Sequence, residues 1–190
     1  MGRWQPDAEG RLWLAALELF TERGYEQTTV ADIAARAGVT ERTFFRYFAD
    51  KREVLFSGGS DLQDRVVAAI ASAPADRAAY DVVVEGMAAG GEALEERRHY
   101  ARQRAAAIAA NPSLQERELL KLSALSAAAA TALAERGLPA PVAALVAETG
   151  VAVFKVAFER WVGAPDTPPL ARCVSDAADQ LRAVAGGAPG

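Results

Sequence analysis

Apolar residues recur along this chain at the three- and four-residue spacing of helices, and no long alternating run typical of strands interrupts them. The first stripe starts near Ala8 and ends at Gly24, a residue suited to the left-handed conformation that often closes a helix. One face of this predicted helix carries Leu12, Ala15, Ala16, Leu19 and Phe20. The pattern predicts an all-α fold.

Two short helices separated by a glycine turn are predicted next. Thr29 is a suitable N-cap for the first, and Asp32 lies where a carboxylate complements the helix dipole. Gly38 ends this helix, and Thr40 caps the second. The inner face of the second helix carries Phe44 and Phe48. Its outer face carries six polar or aromatic residues: Glu41, Arg42, Thr43, Phe45, Arg46 and Tyr47. Spacing alone also fits an ordinary helical hairpin. The exposed aromatic residues on so short a helix favour a helix-turn-helix that enters the DNA major groove.

A longer fourth helix is predicted from Lys51, capped by Asp50, to about Ser72. Its length of roughly 33 Å would suit a rigid lever between two domains. Because the compact N-terminal pattern is complete by Phe56, we place the domain boundary there. This gives a DNA-binding domain at 1–56 and a second domain at 57–190.

The remainder of the chain predicts five further helices, about nine in total, with glycine and proline at the breaks. Gly90 and Gly91 are interpreted as one such break. No period of 20–50 residues repeats, so a solenoid is not expected. The predicted helices span about 76–90, 92–110, 112–136, 140–163 and 168–185.

Charge and composition narrow the functional classes. The net charge is −4 and 51% of the residues are hydrophobic, a fraction raised by alanine. Arginine and lysine outnumber acidic residues only locally, across residues 38–52, which suits a few placed DNA contacts on an acidic body. No signal-peptide core and no apolar run near the roughly 18 residues of a membrane span are evident, so a cytoplasmic location is expected.

Catalytic and metal-binding patterns are not found in the sequence. One cysteine, Cys173, excludes an intramolecular disulfide, and one histidine, His99, excludes a histidine-based metal cluster. Neighbouring charged residues mark the segment around His99 as a polar helix face. We therefore expect neither an enzyme nor a cofactor.

The N-terminal segment resembles the DNA-binding domain of the tetracycline-repressor (TetR) family of transcriptional regulators. The resemblance covers about residues 8–56, and the rest of the chain is similar to the family only in length and helical character. The matching positions are Ala15-Ala16, Leu19-Phe20, Gly24-Tyr25, Thr28-Thr29-Val30, Asp32-Ile33-Ala34, Ala37-Gly38-Val39-Thr40, Thr43-Phe44-Phe45, Tyr47-Phe48 and Lys51.

The resemblance implies roles in DNA binding for particular residues. Thr29 would contact a phosphate at the start of its helix. Tyr47 and Lys51 would hold the DNA backbone, and Arg46 is either a solvated charge or a phosphate contact. Phe45 stands where the family more often has tyrosine, so an apolar contact with a thymine methyl or a sugar is expected. Base edges would be read by Thr40, Glu41, Arg42 and Thr43, with Arg42 suited to guanine and Glu41 to cytosine.

The C-terminal domain would bind an effector and form a homodimer, as the resemblance implies. Each apolar residue there has a simpler interpretation as core packing. The proposed effector pocket, with polar anchors from its histidine and arginine, comprises Met87, His99, Tyr100, Arg104, Phe154, Phe158 and Trp161. The proposed dimer interface on the last two helices comprises Val142, Leu145, Val146, Thr149, Val153, Val156, Val174, Ala178 and Leu181.

Together these features predict a ligand-responsive repressor that binds a near-palindromic DNA operator as a homodimer and responds to an unidentified small molecule. The alternative is a small-molecule-binding helical protein that acts through a protein partner without binding a specific operator.

Overall fold

The computed structural model describes residues 8–56, 59–164 and 166–186, with residues 59 and 60 described by backbone only. Within these residues the chain forms nine α-helices, one short 3-10 helix and no strand, which confirms the predicted all-α class. The elements are α1 Ala8–Arg23, α2 Val30–Arg36, α3 Glu41–Tyr47, the 3-10 helix Glu53–Leu55, α4 Gly59–Ser72, α5 Ala79–Glu95, α6 Arg98–Ala109, α7 Pro112–Glu135, α8 Ala140–Gly163 and α9 Leu170–Ala185.

The chain forms two compact units. The first contains the described residues up to 56 together with Arg102–Glu118, and the second contains 59–101 and the described residues from 119 onward. The division inferred from sequence assigned 102–118 to the second domain. By packing, this segment belongs to the first, because Ile108 and Leu114 are buried in the same core as the N-terminal helices.

The core of the first unit is the apolar stripe predicted for α1 together with the inner faces of α2 and α3. All five residues predicted on the α1 stripe are buried, and Leu17, which the stripe did not include, is buried as well. Ile33 of α2 and Phe44 of α3 are each 0% exposed. The two short helices are therefore held by tertiary burial, since helices of seven residues are marginal alone.

The predicted long helix over 51–72 is wrong. A tight turn and the 3-10 helix occupy its first part, and α4 has 14 residues, about 21 Å. The Asp50 carboxylate accepts hydrogen bonds from the backbone amides of Arg52 at 2.7 Å and Glu53 at 3.2 Å, which closes the turn. Residues 57 and 58, also within the predicted helix, lie outside the described part of the chain.

The predicted break at Gly90 and Gly91 is also wrong, because α5 continues through both to Glu95. A Cβ atom at Gly90 would lie 2.8 Å from Cγ2 of Val66, and one at Gly91 would lie 3.0 Å from Cγ of Leu170. The two glycines therefore allow α4 and α9 to approach α5 closely. In the second unit α5 packs against α4, α8 and α9, while α7 contributes Leu125, Ala129, Ala132 and Leu133 to the same core.

By length and composition alone, α8 could cross a membrane, which contradicts the expectation that no apolar run approaches the length of a membrane span. Its most apolar 18-residue window is 39% buried within this chain. A central helix of a helical bundle passes the same test. α8 therefore carries apolar residues that the rest of its unit does not cover.

Candidate nucleic-acid interface

The start of α2 is set by a reciprocal capping arrangement. The Thr29 hydroxyl accepts a hydrogen bond from the Asp32 amide at 3.1 Å, and the Thr29 amide donates to Asp32 Oδ2 at 2.9 Å. The Thr29 hydroxyl also donates to Oδ2 at 2.7 Å. These bonds hold the pKa of Asp32 below its ordinary value, the hydroxyl contributing most. Both donors of Thr29 are thus used inside the chain.

The turn between α2 and α3 requires glycine at position 38, where φ is +68°. The following amide, that of Val39, donates to the Ala34 carbonyl at 2.9 Å and folds the chain back under α2. Thr40 then caps α3 by accepting from the Thr43 amide at 3.2 Å, and the two hydroxyls lie 3.1 Å apart. The predicted caps at Thr29 and Thr40 are both confirmed.

Ion pairs fix α2 against α1. The Arg36 guanidinium donates to both carboxylate oxygens of Glu22, at 2.9 and 2.8 Å, and to Glu18 at 3.2 Å. Arg11 of α1 donates to the carbonyl of Ala37 at 3.2 Å. The side chains of Arg36 and its partners are half-exposed, so their main effect is orientation of α2 and not a large gain in stability.

The outer face of α3 brings exposed aromatic and basic side chains together. Phe45 is 56% exposed and Tyr47 40%, although both are large and apolar over most of their surface. Glu41, Arg42 and Arg46 are exposed beside them. Arg46 donates to the Tyr47 hydroxyl at 3.1 Å, and its guanidinium carbon lies 4.8 Å from the Tyr47 ring centroid. Buried Phe44 and Phe48 anchor the opposite face.

Lys51 faces inward. Its Nζ donates to the carbonyls of Tyr25 at 2.8 Å and Thr28 at 2.9 Å, and partial burial lowers its pKa. The ammonium therefore ties the turn after α3 to the connection between α1 and α2. A contact with the DNA backbone, which the resemblance implied, would have to use the one remaining N–H of this side chain.

Two arginines from the 102–118 segment lie over the ring of Phe56, an arrangement not predicted from the sequence. The guanidinium carbons of Arg104 and Arg117 lie 4.9 and 5.1 Å from the Phe56 ring centroid. Arg104 also donates to the Leu55 carbonyl and pairs with Glu118 at 2.6 Å, while Arg117 donates to both oxygens of Glu53. Arg104, predicted in the effector pocket, is therefore part of the first unit.

The other predicted pocket residues divide into two groups. Met87, Phe154 and Trp161 are buried in the core of the second unit, with Phe158 packed against it. His99 and Tyr100 are exposed, and their rings contact each other. Arg98, which the predicted pocket did not include, lies near Trp161, with its guanidinium carbon 5.3 Å from the ring centroid.

The predicted dimer residues divide in the same way. Val153, Val174 and Ala178 are 4%, 0% and 0% exposed because α5, α8 and α9 bury them within the chain, so they are not available to a partner. Val146 and Thr149 are half-buried. The remaining predicted residues, Val142, Leu145, Val156 and Leu181, are exposed. Val184, which was not predicted, is exposed as well.

A capped helix, a glycine turn and a second capped helix with an exposed face define a helix-turn-helix DNA-binding protein. Residues 13–57 match the family described as bacterial regulatory proteins, tetR family. Residues 77–186, more than half of the chain, match the MftR C-terminal domain. The chain belongs to the TetR family of transcriptional regulators.

Individual relatives agree with this assignment. The HTH-type transcriptional regulator TcmR of Streptomyces glaucescens is 48% identical over 60 residues, which cover 32% of this chain and 26% of TcmR. The chain thus matches about a quarter of this curated relative. The fatty acid degradation regulator FadR from Bacillus halodurans shares the fold with a TM-score of 0.63 at 18% identity, over 98% of both chains. FadR from Bacillus subtilis, solved in complex with stearoyl-CoA, gives 0.64 at 19% identity, over 90% of this chain and 96% of that one.

Proposed function

We propose that this chain is a ligand-responsive cytoplasmic repressor that binds a near-palindromic operator as a homodimer. The observation that carries the proposal is the exposed outer face of α3, held from behind by buried Phe44 and Phe48. Arg42 and Glu41, in the first turn, are the side chains proposed to contact base edges, with guanine and cytosine as the matching bases. Thr40 and Thr43 lie beside them, with their hydroxyls paired.

The DNA backbone contacts are proposed for the flanks of α3. The Arg46–Tyr47 pair brings a cation and a phenol together, and because Arg46 donates to the phenol oxygen, the Tyr47 O–H is free to donate to a phosphate. At α2, Asp32 occupies the donors of Thr29. The phosphate contact at this end is therefore proposed for the first free amides of the helix, with Thr29 as its cap. Phe45 is proposed to contact a thymine methyl or a sugar.

The exposed apolar residues of α8 and α9 support the homodimer. Leu145 is 70% exposed, Val156 56% and Val142 47%, an unusual density of exposed aliphatic residues for one helix. Pairing α8 and α9 with their counterparts in a second chain would cover these residues in a four-helix interface. A two-fold axis would then present two copies of α3 to half-sites about 34 Å apart along the DNA.

The effector is proposed to bind in the second unit, among Met87, Phe154, Phe158 and Trp161. The stearoyl-CoA complex of FadR supports a ligand with a large apolar part. An effector can change operator binding only by its difference in affinity for the bound and free conformations.

The test is a gel shift with DNA from upstream of the gene that encodes the chain, competed with random DNA at low and at physiological salt. A band that survives competition, from protein shown to be dimeric by sedimentation, is the expected result. Absence of any specific band at low salt, from an intact dimer, would favour the alternative of a ligand-binding protein that acts through a protein partner.

A further inference from the structure

Trp161 on α8 carries a buried hydrogen-bond donor with no acceptor. The side chain is 0% exposed, and among the described residues its Nε1 is the one buried side-chain nitrogen or oxygen atom without a partner. An indole N–H can only donate, and buried tryptophans in folded proteins normally find an acceptor. Leaving the group unpaired in an apolar interior is costly, so its persistence here points to a partner that enters from outside the chain.

Trp161 belongs to the apolar core of the second unit, and the cation that lies over its ring is already engaged. The Arg98 guanidinium carbon lies 5.3 Å from the Trp161 ring centroid, and Arg98 donates to the carbonyls of Trp161 at 2.7 Å and Ala164 at 2.6 Å, and to the Thr167 hydroxyl. The Phe158 ring lies 5.8 Å from the Trp161 ring. Among the described residues, the buried side-chain polar atom left without a partner in this core is thus a single neutral donor.

The helices of the second unit differ in how closely they pack. Where α5 meets α8 and α9 the contacts are tight: a Cβ at Gly150 would lie 2.7 Å from Cγ2 of Val83, and one at Gly91 would lie 3.0 Å from Cγ of Leu170. Among the described residues, the backbone of α7 does not approach α5 or α8 as α9 does. The contacts of α7 with this core are therefore made by side chains, which can move to admit a ligand at less cost than closely packed helices can separate.

We propose that Trp161 Nε1 is the hydrogen-bond donor of the effector subsite, and that it binds a neutral carbonyl oxygen of an otherwise apolar molecule. The inference rests on the proposed effector binding in the second unit. A neutral acceptor matches one neutral donor without burying a charge. A carboxylate would have to lose its hydration in this apolar core, which is costly for a charge that gains a single neutral donor there.

The primary test needs no change at Trp161. Protein labelled with ¹⁵N-tryptophan should show three indole N–H resonances, which Trp4→Phe and Trp13→Phe assign by elimination. Titration with 2-octanone is expected to move the Trp161 resonance downfield in a saturable way, whereas octane, which has no acceptor, should not. Equal shifts with octane, or an unmoved Trp161 resonance at the solubility limit of the ketone, would overturn the proposal. Tighter binding of octanoate than of the ketone would overturn the assignment to a neutral ligand.

Two variants separate the hydrogen bond from apolar packing. Trp161→Phe is expected to weaken 2-octanone relative to octane by about five- to tenfold, the ratio that one neutral hydrogen bond supports. Phe154→Leu, which removes part of an aromatic ring but no polar atom, should weaken both probes in the same ratio. The methyl resonance of Met87 reports binding of both. These titrations contain no DNA, so a negative result would leave the proposal of operator binding intact. A failed gel shift would in turn leave the proposed role of Trp161 intact.

Discussion

The Nζ atom of Lys51 lies 4.0 Å from the ring centroid of Tyr25 and donates to the Tyr25 carbonyl at 2.8 Å. With a second bond to Thr28, this side chain holds the connection between α1 and α2. We expect Lys51→Met to lower the free energy of unfolding by about 1.5–3 kcal/mol, the range for bonds to a charged group. Urea denaturation measures the change.

Lys155→Met is the matched control, because Lys155 is exposed on α8 and its loss should change stability by less than about 0.5 kcal/mol. Unchanged stability of the Lys51 variant, together with an equal loss of affinity for operator and random DNA, would instead make Lys51 a phosphate contact alone.

Arg42→Ala should weaken operator binding by about 1–3 kcal/mol, mostly through one base step, because a bidentate contact with guanine is lost. The measurement is a binding titration against the operator and against variants of it at single base pairs. Arg65→Ala, the same change at an exposed position of α4, should leave affinity unaltered. If Arg42→Ala weakened operator and random DNA alike, Arg42 would be a backbone contact.

The capping arrangement of α2 predicts a pH dependence. Since the pKa of Asp32 is lowered in the folded chain, its contribution to stability is fully present above the ordinary value of 3.8 and is lost as the pH falls through the folded pKa. Thr29→Ala removes the largest cause, so the pKa should rise toward 3.8. Carboxyl ¹³C titration by NMR measures it. Thr21→Ala, on α1, should have no effect, and a Thr29 variant with an unmoved pKa would refute the account.

Leu145→Glu should weaken dimerisation by about 2 kcal/mol or more, because a charge would replace an exposed aliphatic side chain of the proposed interface. Sedimentation equilibrium measures the association constant. Leu119→Glu is the control: Leu119 is 60% exposed on α7, comparable with 70% for Leu145, but lies on neither interface helix. A Leu145 variant that remains as dimeric as the wild type would exclude this face of α8.

Gly150→Ala should destabilise the second unit by about 1–3 kcal/mol, because the new methyl group would lie 2.7 Å from Cγ2 of Val83 and force repacking. Thermal unfolding measures the effect. At Gly163, the last residue of α8, a Cβ would have nothing within 4 Å. Alanine there should be neutral or stabilising by up to about 1 kcal/mol. Equal effects at both positions would show that backbone propensity and not close packing controls Gly150.

The features predicted correctly from sequence are those that depend on residues a few positions apart. The caps at Thr29 and Thr40, the turn at Gly38 and the division of α3 into a buried and an exposed face all arise within three or four residues. The predicted break at Gly90 and Gly91 was wrong because the role of these glycines depends on distant residues. Whether glycine ends a helix or admits a neighbouring helix depends on Val66 and Leu170, which are remote in sequence.

The sequence by itself determined the all-α class, the helix-turn-helix and the residues on its outer face, because hydrophobic period, capping and glycine conformation are local properties. The tertiary structure decided which valines of α8 and α9 are covered, that Arg104 supports the first unit, and that the indole N–H of Trp161 has no partner. These outcomes depend on which helices meet and which acceptors lie within reach. Residues of the same type, such as Val153 and Val156, differ only in the neighbours that folding places against them.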